Sequence, residues 1–325
     1  MESRYCIKDE GDYRMVELIN RLLPIVVLLF IGFFTKKTKM LSDKVIEGLK
    51  VIIIKIALPV VLFTSFATMD LQLSYLILFV LVFIYCIVLY GIGNLVHKLL
   101  AHRFKRVFTA GYFTGFEFGM IGVGLFSAIW GIEQLPIIML IGLGHEIFIW
   151  FVYVPLISNK SEHVFSLLQT LKAFIKTPTI IGLILGLMVN ILNLYETIAS
   201  TVIGASIYTS IDMLMPLTSP LILIVVGYSM TFNCLDIKET LTYIIARLIF
   251  VLSIGSLLIF IIFKLIPDIN PLLFQAFYAF ILLPAPYILP LYIKDTEEAS
   301  FFTQLLVYGT VVTFVGYGIL LWLSI

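Results

Sequence analysis

The sequence predicts an all-α polytopic membrane protein with ten transmembrane helices, arranged as a 5+5 inverted repeat. Three observations predict this fold. Hydrophobic residues make up 61% of the chain and charged residues only 13%, a balance unlike that of a water-soluble domain. About ten stretches are long and apolar enough to cross roughly 30 Å of hydrocarbon. The fourth and the ninth of these stretches are interrupted by glycine or proline, and they hold matching positions in the two halves of the chain.

The ten predicted spans follow one another along the whole chain. They cover residues 15–35, 44–66, 73–96, 107–129, 136–157, 178–194, 209–231, 240–264, 271–293 and 301–324. The first span runs directly into Lys36, which favours a retained helix over a cleaved signal peptide.

The spans divide the chain into four parts. These are an N-terminal tail at 1–14, a first five-helix repeat at 15–157, a cytoplasmic linker at 158–177 and a second five-helix repeat at 178–325. Within the linker, residues 163–176 place apolar side chains at three- and four-residue spacing, with Lys172 and Lys176 on the polar side. This pattern predicts an interfacial helix.

Basic residues are concentrated in every second loop between the predicted spans. They follow the odd-numbered spans, as Lys36, Lys37, Lys39, Lys44, Lys98, Arg103, Lys105 and Arg106 show for the first two such loops. Because cytoplasmic loops retain Lys and Arg, the pattern predicts a multi-pass cell-membrane protein with both termini outside the cytoplasm. The basic residues of the N-terminal tail argue weakly the other way.

Interruptions occur at corresponding places in the two halves. Pro24 and Pro178 lie near the starts of spans one and six, while Pro59 and Pro216 interrupt spans two and seven. Five spans per half enter the membrane in opposite directions, as an inverted repeat requires. The alternative is coincidence, since a chain of ten apolar helices with twelve prolines would show some such matches anyway.

The two interrupted spans are the candidate binding region. Span four carries one carboxylate, Glu117, among glycines, and its break is predicted at Gly119 to Gly124. The break in span nine is predicted at Pro284 to Pro290. Such breaks are tolerated only where protein or a wet cavity satisfies the freed backbone groups, and a matching pair of them points to a transporter site. The helix starts at both breaks are expected to direct positive dipole ends into that site.

Five short motifs follow one another along the chain. They are Leu23-Pro24, the turn from Lys36 to Lys44 with Leu41-Ser42, Ala57-Leu58-Pro59, Gly119-Met120-Ile121-Gly122 and Leu283-Pro284. Together they resemble the motifs of the auxin efflux carrier family of permeases. The resemblance covers about residue 16 to 325. It implies broken spans four and nine that cross near the bilayer midplane, and a carrier for small organic acids that moves one subdomain against the other.

This chain departs from the family pattern at the expected crossing. Glu117 stands where the family usually has asparagine, and Gly124 where it has proline. In span nine, the usual Pro-Pro and following asparagine become Pro284-Ala285 and Ile288.

Ionisable residues replace those amides within apolar surroundings. Lys55, Glu117, His145 and Glu146 are expected at similar membrane depth. A charge at the bilayer centre costs roughly 2.5–3.5 kcal/mol on insertion scales, so such residues normally face a partner or a cavity. One hypothesis is a structural Lys55–Glu117 ion pair. The other is that a carboxylate takes up a proton or cation while Lys55 meets an anionic substrate.

The candidate residues fall into two groups. Those for substrate binding are Lys55, Gly119, Gly122, Gly124, Pro284, Pro286 and Tyr287; those for ion or proton coupling are Glu117, His145 and Glu146. Glu146 is favoured over His145 because its helical face also holds Gly142, Trp150 and Tyr153. For Arg247, in span eight, extension to the membrane surface is favoured over a substrate-binding role.

These patterns favour a proton- or cation-coupled permease for a small organic anion, with neither a cofactor nor a metal. The zincin pattern would need histidine at position 149, which is Ile149. No constellation predicts an enzyme, and no basic stripe predicts nucleic-acid binding. The expected partners are the substrate, the coupling ion and the lipid bilayer. A receptor that keeps the carrier fold, a channel, and a homodimeric state all remain open.

Overall fold

The fold is entirely helical in the part of the chain that the structure describes. The computed structural model describes residues 10–69, 74–160, 171–172, 175–230, 237–265 and 270–324, and no strand occurs among them. The helices are α1 (Glu10–Lys37), α2 (Asp43–Ile52), α3 (Leu58–Thr68), α4 (Ser74–Leu99), α5 (Thr109–Phe113), α6 (Val123–Trp130), α7 (Leu135–Phe148), α8 (Val154–Lys160), α9 (Pro178–Ile191), α10 (Tyr195–Ala199), α11 (Val202–Leu214), α12 (Thr218–Ser229), α13 (Ile237–Leu265), α14 (Leu272–Ile281) and α15 (Thr296–Ser324).

Eight helical segments of the described chain are long and apolar enough to cross a membrane. They correspond to predicted spans one to five, seven, eight and ten. In place of spans six and nine stand two shorter apolar helices, α9 and α14. The chain therefore has the make-up of a multi-pass membrane protein. Many of its large apolar side chains face outward, as Phe30 and Val202 do, which suits contact with lipid.

One predicted helix boundary is wrong, and one predicted helix lies mostly outside the described residues. The seventh spanning segment begins at Val202 rather than at residue 209, because α11 continues through a 3-10 turn at Met215–Leu217 into α12. Most of the predicted interfacial helix at 163–176 lies outside the described residues.

Glycines let two pairs of helices approach backbone to backbone. A Cβ added to Gly32 of α1 would lie 2.1 Å from the Ile224 carbonyl oxygen of α12, and one on Gly227 would lie 2.1 Å from that of Leu29. Helix α9 packs on α3 in the same way. A Cβ on Gly182 would lie 2.3 Å from the Pro59 oxygen. In lipid such close packing replaces the hydrophobic effect as the source of helix association.

A polar side chain completes the contact between α9 and α3. The Asn190 side-chain amide lies 3.0, 3.2 and 2.7 Å from the carbonyl oxygens of Phe66, Ala67 and Met69. These carbonyls are at the end of α3, where helical partners are lacking. An amide has two N–H donors, so Asn190 can satisfy two of the three at a time.

The segments predicted as spans four and nine are both interrupted, but the first break is not where the glycines predicted it. Helix α5 ends at Phe113, and the chain is irregular at 114–117. A π-helical turn (Phe118–Gly122) then leads into α6. The prediction of a break at Gly119 to Gly124 is therefore wrong, since these residues are helical. In span nine, α14 gives way to irregular chain at 282–288 and a short 3-10 turn, Leu289–Tyr292.

Candidate functional site

The two irregular segments, 114–117 and 282–288, contact each other through hydrogen bonds. We call this contact the junction. The Glu117 backbone N–H donates to the Pro284 carbonyl oxygen at 2.9 Å. The Tyr287 N–H donates in turn to the Glu117 carboxylate at 2.8 Å. Each segment thus satisfies backbone groups that the other has lost from its helix, as a non-aqueous environment requires.

Gly115 occupies a position in the junction where a side chain would be strained. Its φ is +70°, in the region that L-residues rarely adopt. A Cβ at this position would lie 2.7 Å from Pro286 Cγ and 3.0 Å from Ile149 Cδ1. The turn of the chain and the packing of Pro286 therefore both depend on this glycine.

Arg247 of α13 reaches into the junction instead of the membrane surface, so the expectation that it extends outward is wrong. The residue is 5% exposed. Its guanidinium donates to the carbonyl oxygens of Tyr112 and Gly115, the latter at 2.8 Å, and lies 3.5 Å from that of Leu283. The guanidinium carbon also lies 5.1 Å from the centre of the Phe116 ring. These carbonyls lie at or just beyond the ends of α5 and α14, where the helix no longer supplies hydrogen-bond donors. This explains why the side chain points inward.

His145 connects the junction to α7. The Phe116 N–H donates to His145 Nε2 at 2.9 Å, so in neutral His145 the proton is assigned to Nδ1. The Phe116, Phe118 and Phe280 rings surround the imidazole, with centres 5.4–6.2 Å away. His145 Nδ1 is buried without a hydrogen-bond partner in the described structure, and it lies 3.6 Å from Glu146 Oε1.

Glu146 lies beside a small cavity. Its side chain is 29% exposed. The carboxylate accepts a hydrogen bond of 3.3 Å from Nε1 of Trp150, which lies one turn further along the same helical face. The cavity measures about 90 Å³ and is lined by Leu58, Leu62, Phe118, Gly119, Val123, Met139, Gly142, Leu143, Glu146, Thr179, Ile180 and Leu183. Glu146 is the one ionisable residue among these described lining residues. The cavity lies between α3, α7, α9 and the start of the helix that follows the first break.

The cavity depends on a further glycine. A Cβ on Gly142 would lie 2.1 Å from Phe118 Cζ, so the Phe118 ring can lie over α7 only because Gly142 has no side chain. At Gly119, by contrast, an added Cβ would have no heavy atom within 4 Å, and this residue leaves its side of the cavity open.

The predicted site residues do not all come together. Lys55 is exposed and forms no ion pair within the described chain, so the Lys55–Glu117 pair is absent; the Tyr287 N–H holds the carboxylate instead. Lys55 also does not line the cavity. Gly122 and Gly124 are packing positions, where a Cβ would lie 2.8 Å from Leu283 and 2.7 Å from Ile222.

The remaining predicted residues lie at the junction or the cavity. Pro284, Pro286 and Tyr287 contact segment 114–117, as given above. Tyr287 is also tied to α15, because its hydroxyl lies 2.7 Å from Thr310 Oγ1. Gly119 and Glu146 line the cavity. Glu117 and His145 hold the junction to its neighbours.

The predicted positive helix end at the second break is also absent. The four-residue 3-10 turn follows that break, so within the described ranges of the chain one helix start, at Phe118, faces this region. The ends of α5 and α14 lie there instead, and helix ends of this kind carry partial negative charge. No group of three or more His, Cys, Asp or Glu that could hold a metal ion occurs among the described residues.

Arg247 is the functional candidate that sequence reasoning missed. Its position near the start of span eight suggested a route to the surface. Two interrupted spans leave backbone carbonyls without hydrogen-bond donors, and a guanidinium with five N–H groups can supply several donors at once. This requirement was the sequence feature that could have indicated Arg247.

A scan against known protein families finds no match for this chain, and a search among curated proteins finds none either.

Proposed function

We propose that the protein is a secondary active transporter that moves a small organic anion, such as a carboxylate, together with a proton or cation. The observation that supports this most is the junction itself, where two interrupted membrane segments meet beside a cavity with one carboxylate. Paired discontinuous helices are the usual construction of carrier binding sites. The resemblance to the auxin efflux carrier family points the same way. The protein would act in the cell membrane with both termini outside the cytoplasm.

We propose further that the ten spans form an inverted repeat whose segments four and nine cross at the junction. Helix packing supports this arrangement. An inverted repeat relates each span of the first half to the span five positions later. It therefore relates the contact of α1 (span one) with α12 (span seven) to the contact of α9 (span six) with α3 (span two). Both contacts use glycine against a backbone carbonyl. In this proposal the two pairs move as one subdomain against the helices around the junction.

Glu146 would couple the proton to the substrate. An ionised carboxylate repels an anion about 4 Å away by roughly 4 kcal/mol at an effective dielectric constant of 20. Protonation of Glu146 removes this repulsion, so the anion would bind the protonated carrier roughly a thousandfold more tightly. Glu117 is less suited to this role because it does not line the cavity and its carboxylate accepts the Tyr287 N–H within the junction. We assign Glu117 to positioning the junction.

The cavity in this conformation is far smaller than the binding sites of drug-sized ligands. Sites for drug-sized ligands measure about 300–1,000 Å³, whereas this cavity measures about 90 Å³. The substrate would therefore enter a more open state, reached when α3 and α9 move away from α7. The present conformation would be a closed state of the cycle.

Uptake into proteoliposomes tests the proposal. Purified protein would be offered a panel of radiolabelled one- to four-carbon monocarboxylates, with and without an inside-alkaline pH gradient. We expect accumulation that depends on the gradient. Glu146→Gln should keep exchange of labelled for unlabelled substrate but lose accumulation, because a neutral amide cannot release a proton. Glu133→Gln, at an exposed position outside this cavity, is the matched control and should behave as the wild type.

Two results would contradict the proposal. Normal gradient-driven accumulation by Glu146→Gln would remove Glu146 from coupling. Saturable binding of a panel member without any flux would indicate a receptor rather than a carrier.

A further inference from the structure

Arg247 is a buried cation without a carboxylate partner among the described residues. Its guanidinium instead contacts the carbonyl oxygens of Tyr112, Gly115 and Leu283. Its charge also lies over two aromatic rings, 5.4 Å from the centre of Tyr112 and 5.1 Å from that of Phe116. A buried charge normally requires an opposite charge or a metal, so this environment calls for a specific explanation.

The carbonyls that contact Arg247 lie at the ends of two helices. Tyr112 lies in the last turn of α5 and Gly115 just beyond it, while Leu283 follows the end of α14. The last carbonyls of a helix lack partners within it, and together they carry the negative end of the helix dipole. Two such ends directed at one point form a region that attracts a cation. In carriers with broken helices, ends of this kind commonly coordinate a sodium ion.

We propose that the ends of α5 and α14 form a cation site and that Arg247 fills it permanently as a tethered cation. The guanidinium supplies the positive charge that a bound monovalent ion would supply elsewhere. Its planar set of donors also reaches carbonyls on both segments at once, which a single point charge on a lysine does less well. The aromatic faces of Tyr112 and Phe116 add a favourable cation–π contribution.

The proposal has a consequence for coupling that rests on the proposed transport function. A site that already holds a tethered cation cannot bind and release an ion in each cycle. The junction itself would then need no sodium, and coupling would fall to the carboxylate at the cavity. The cation site can be tested without any transport measurement, so its failure and that of the transport proposal are distinguishable.

Chemical rescue of Arg247→Ala is the direct test. The purified variant would be melted in detergent with low-millimolar guanidinium chloride, and separately with choline chloride, whose cation has no N–H donor. Loss of the donors for at least two buried carbonyls should lower the Tm by roughly 5–10 °C. We expect guanidinium to restore at least half of that shift and choline to restore none.

Phe126→Ala is the matched control. It empties a comparable volume at a fully buried apolar position, where no carbonyl site would attract guanidinium. Neither salt should shift the Tm of this variant or of the wild type. The proposal is overturned if guanidinium does not rescue Arg247→Ala, or if it shifts Phe126→Ala equally.

A second comparison applies even if Arg247→Ala does not fold. Arg247→Lys keeps a cation, and Arg247→Met keeps the length of the side chain without charge. We expect the lysine variant to give more folded protein and a higher Tm than the methionine variant. Equal or better behaviour of Arg247→Met would mean that the side chain only fills space, and the cation site would be refuted.

Discussion

Replacing Gly115 by alanine should destabilise the protein through the junction. The structure gives two independent penalties. The φ of +70° costs an L-residue roughly 1–2 kcal/mol. A Cβ 2.7 Å from Pro286 Cγ requires the surroundings to shift, and such overpacking costs about 1–3 kcal/mol.

The two penalties together amount to about 2–5 kcal/mol, which corresponds to a fall in Tm of roughly 5–15 °C at a few degrees per kcal/mol. Gly119→Ala is the matched control in the same span. A Cβ there has no heavy atom within 4 Å, and alanine favours helix over glycine by about 1 kcal/mol. Its Tm should therefore equal or slightly exceed that of the wild type.

Unfolding can be followed through one thiol. Cys86 is free and fully buried, so a thiol-reactive fluorophore would label it only as the protein melts. The measurement would use a background in which Cys6 and Cys234 are serine. The expected difference in Tm between Gly115→Ala and Gly119→Ala is much larger than about 2 °C. If the two variants melt within about 2 °C of each other, the junction does not depend on the glycine conformation described above.

Two further predictions concern the contact of α9 with α3. Asn190→Leu should lower the free energy of unfolding by about 1–3 kcal/mol, because buried carbonyls at the end of α3 lose their donor; a Tm unchanged from the wild type would contradict this. Gly182→Leu should lower the Tm and separate the two helices, since its Cβ would overlap the Pro59 carbonyl at 2.3 Å. Gly48→Ala, with nothing within 4 Å, is the control, and a crosslink between cysteines introduced on α3 and α9 would report the separation.

Much of the helical fold could be predicted from hydrophobic length alone, because a bilayer imposes the same length on every span. Glycine and proline also indicated which two spans are interrupted. They did not locate the first break, since helix can continue through Gly119 and Gly122 wherever nothing opposes it. The chain unwinds at Gly115, where Pro286 of a distant segment packs, and such a contact cannot be deduced from local sequence.

Only part of the candidate site could be predicted, again because some of its contacts join distant segments of the chain. Glu146 could be recognised from its helical face, which it shares with Gly142 and Trp150. Membrane depth places Lys55 level with the site, but depth does not determine which way a side chain points, and Lys55 faces outward. The inward position of Arg247 cannot be deduced from its span alone, because the carbonyls that it contacts come together only where both broken segments meet.

The glycine contacts of α1 with α12 imply an unusual order of events during synthesis. The surface of α1 around Gly32 fits the backbone around Ile224, which the ribosome adds much later. At about 5–20 residues per second, α1 would remain without this partner for roughly 10–40 seconds after insertion. During that interval its glycine face is open to other helices in the membrane. We therefore expect a chain truncated before α12 to be retained by quality-control machinery even though its first spans insert normally.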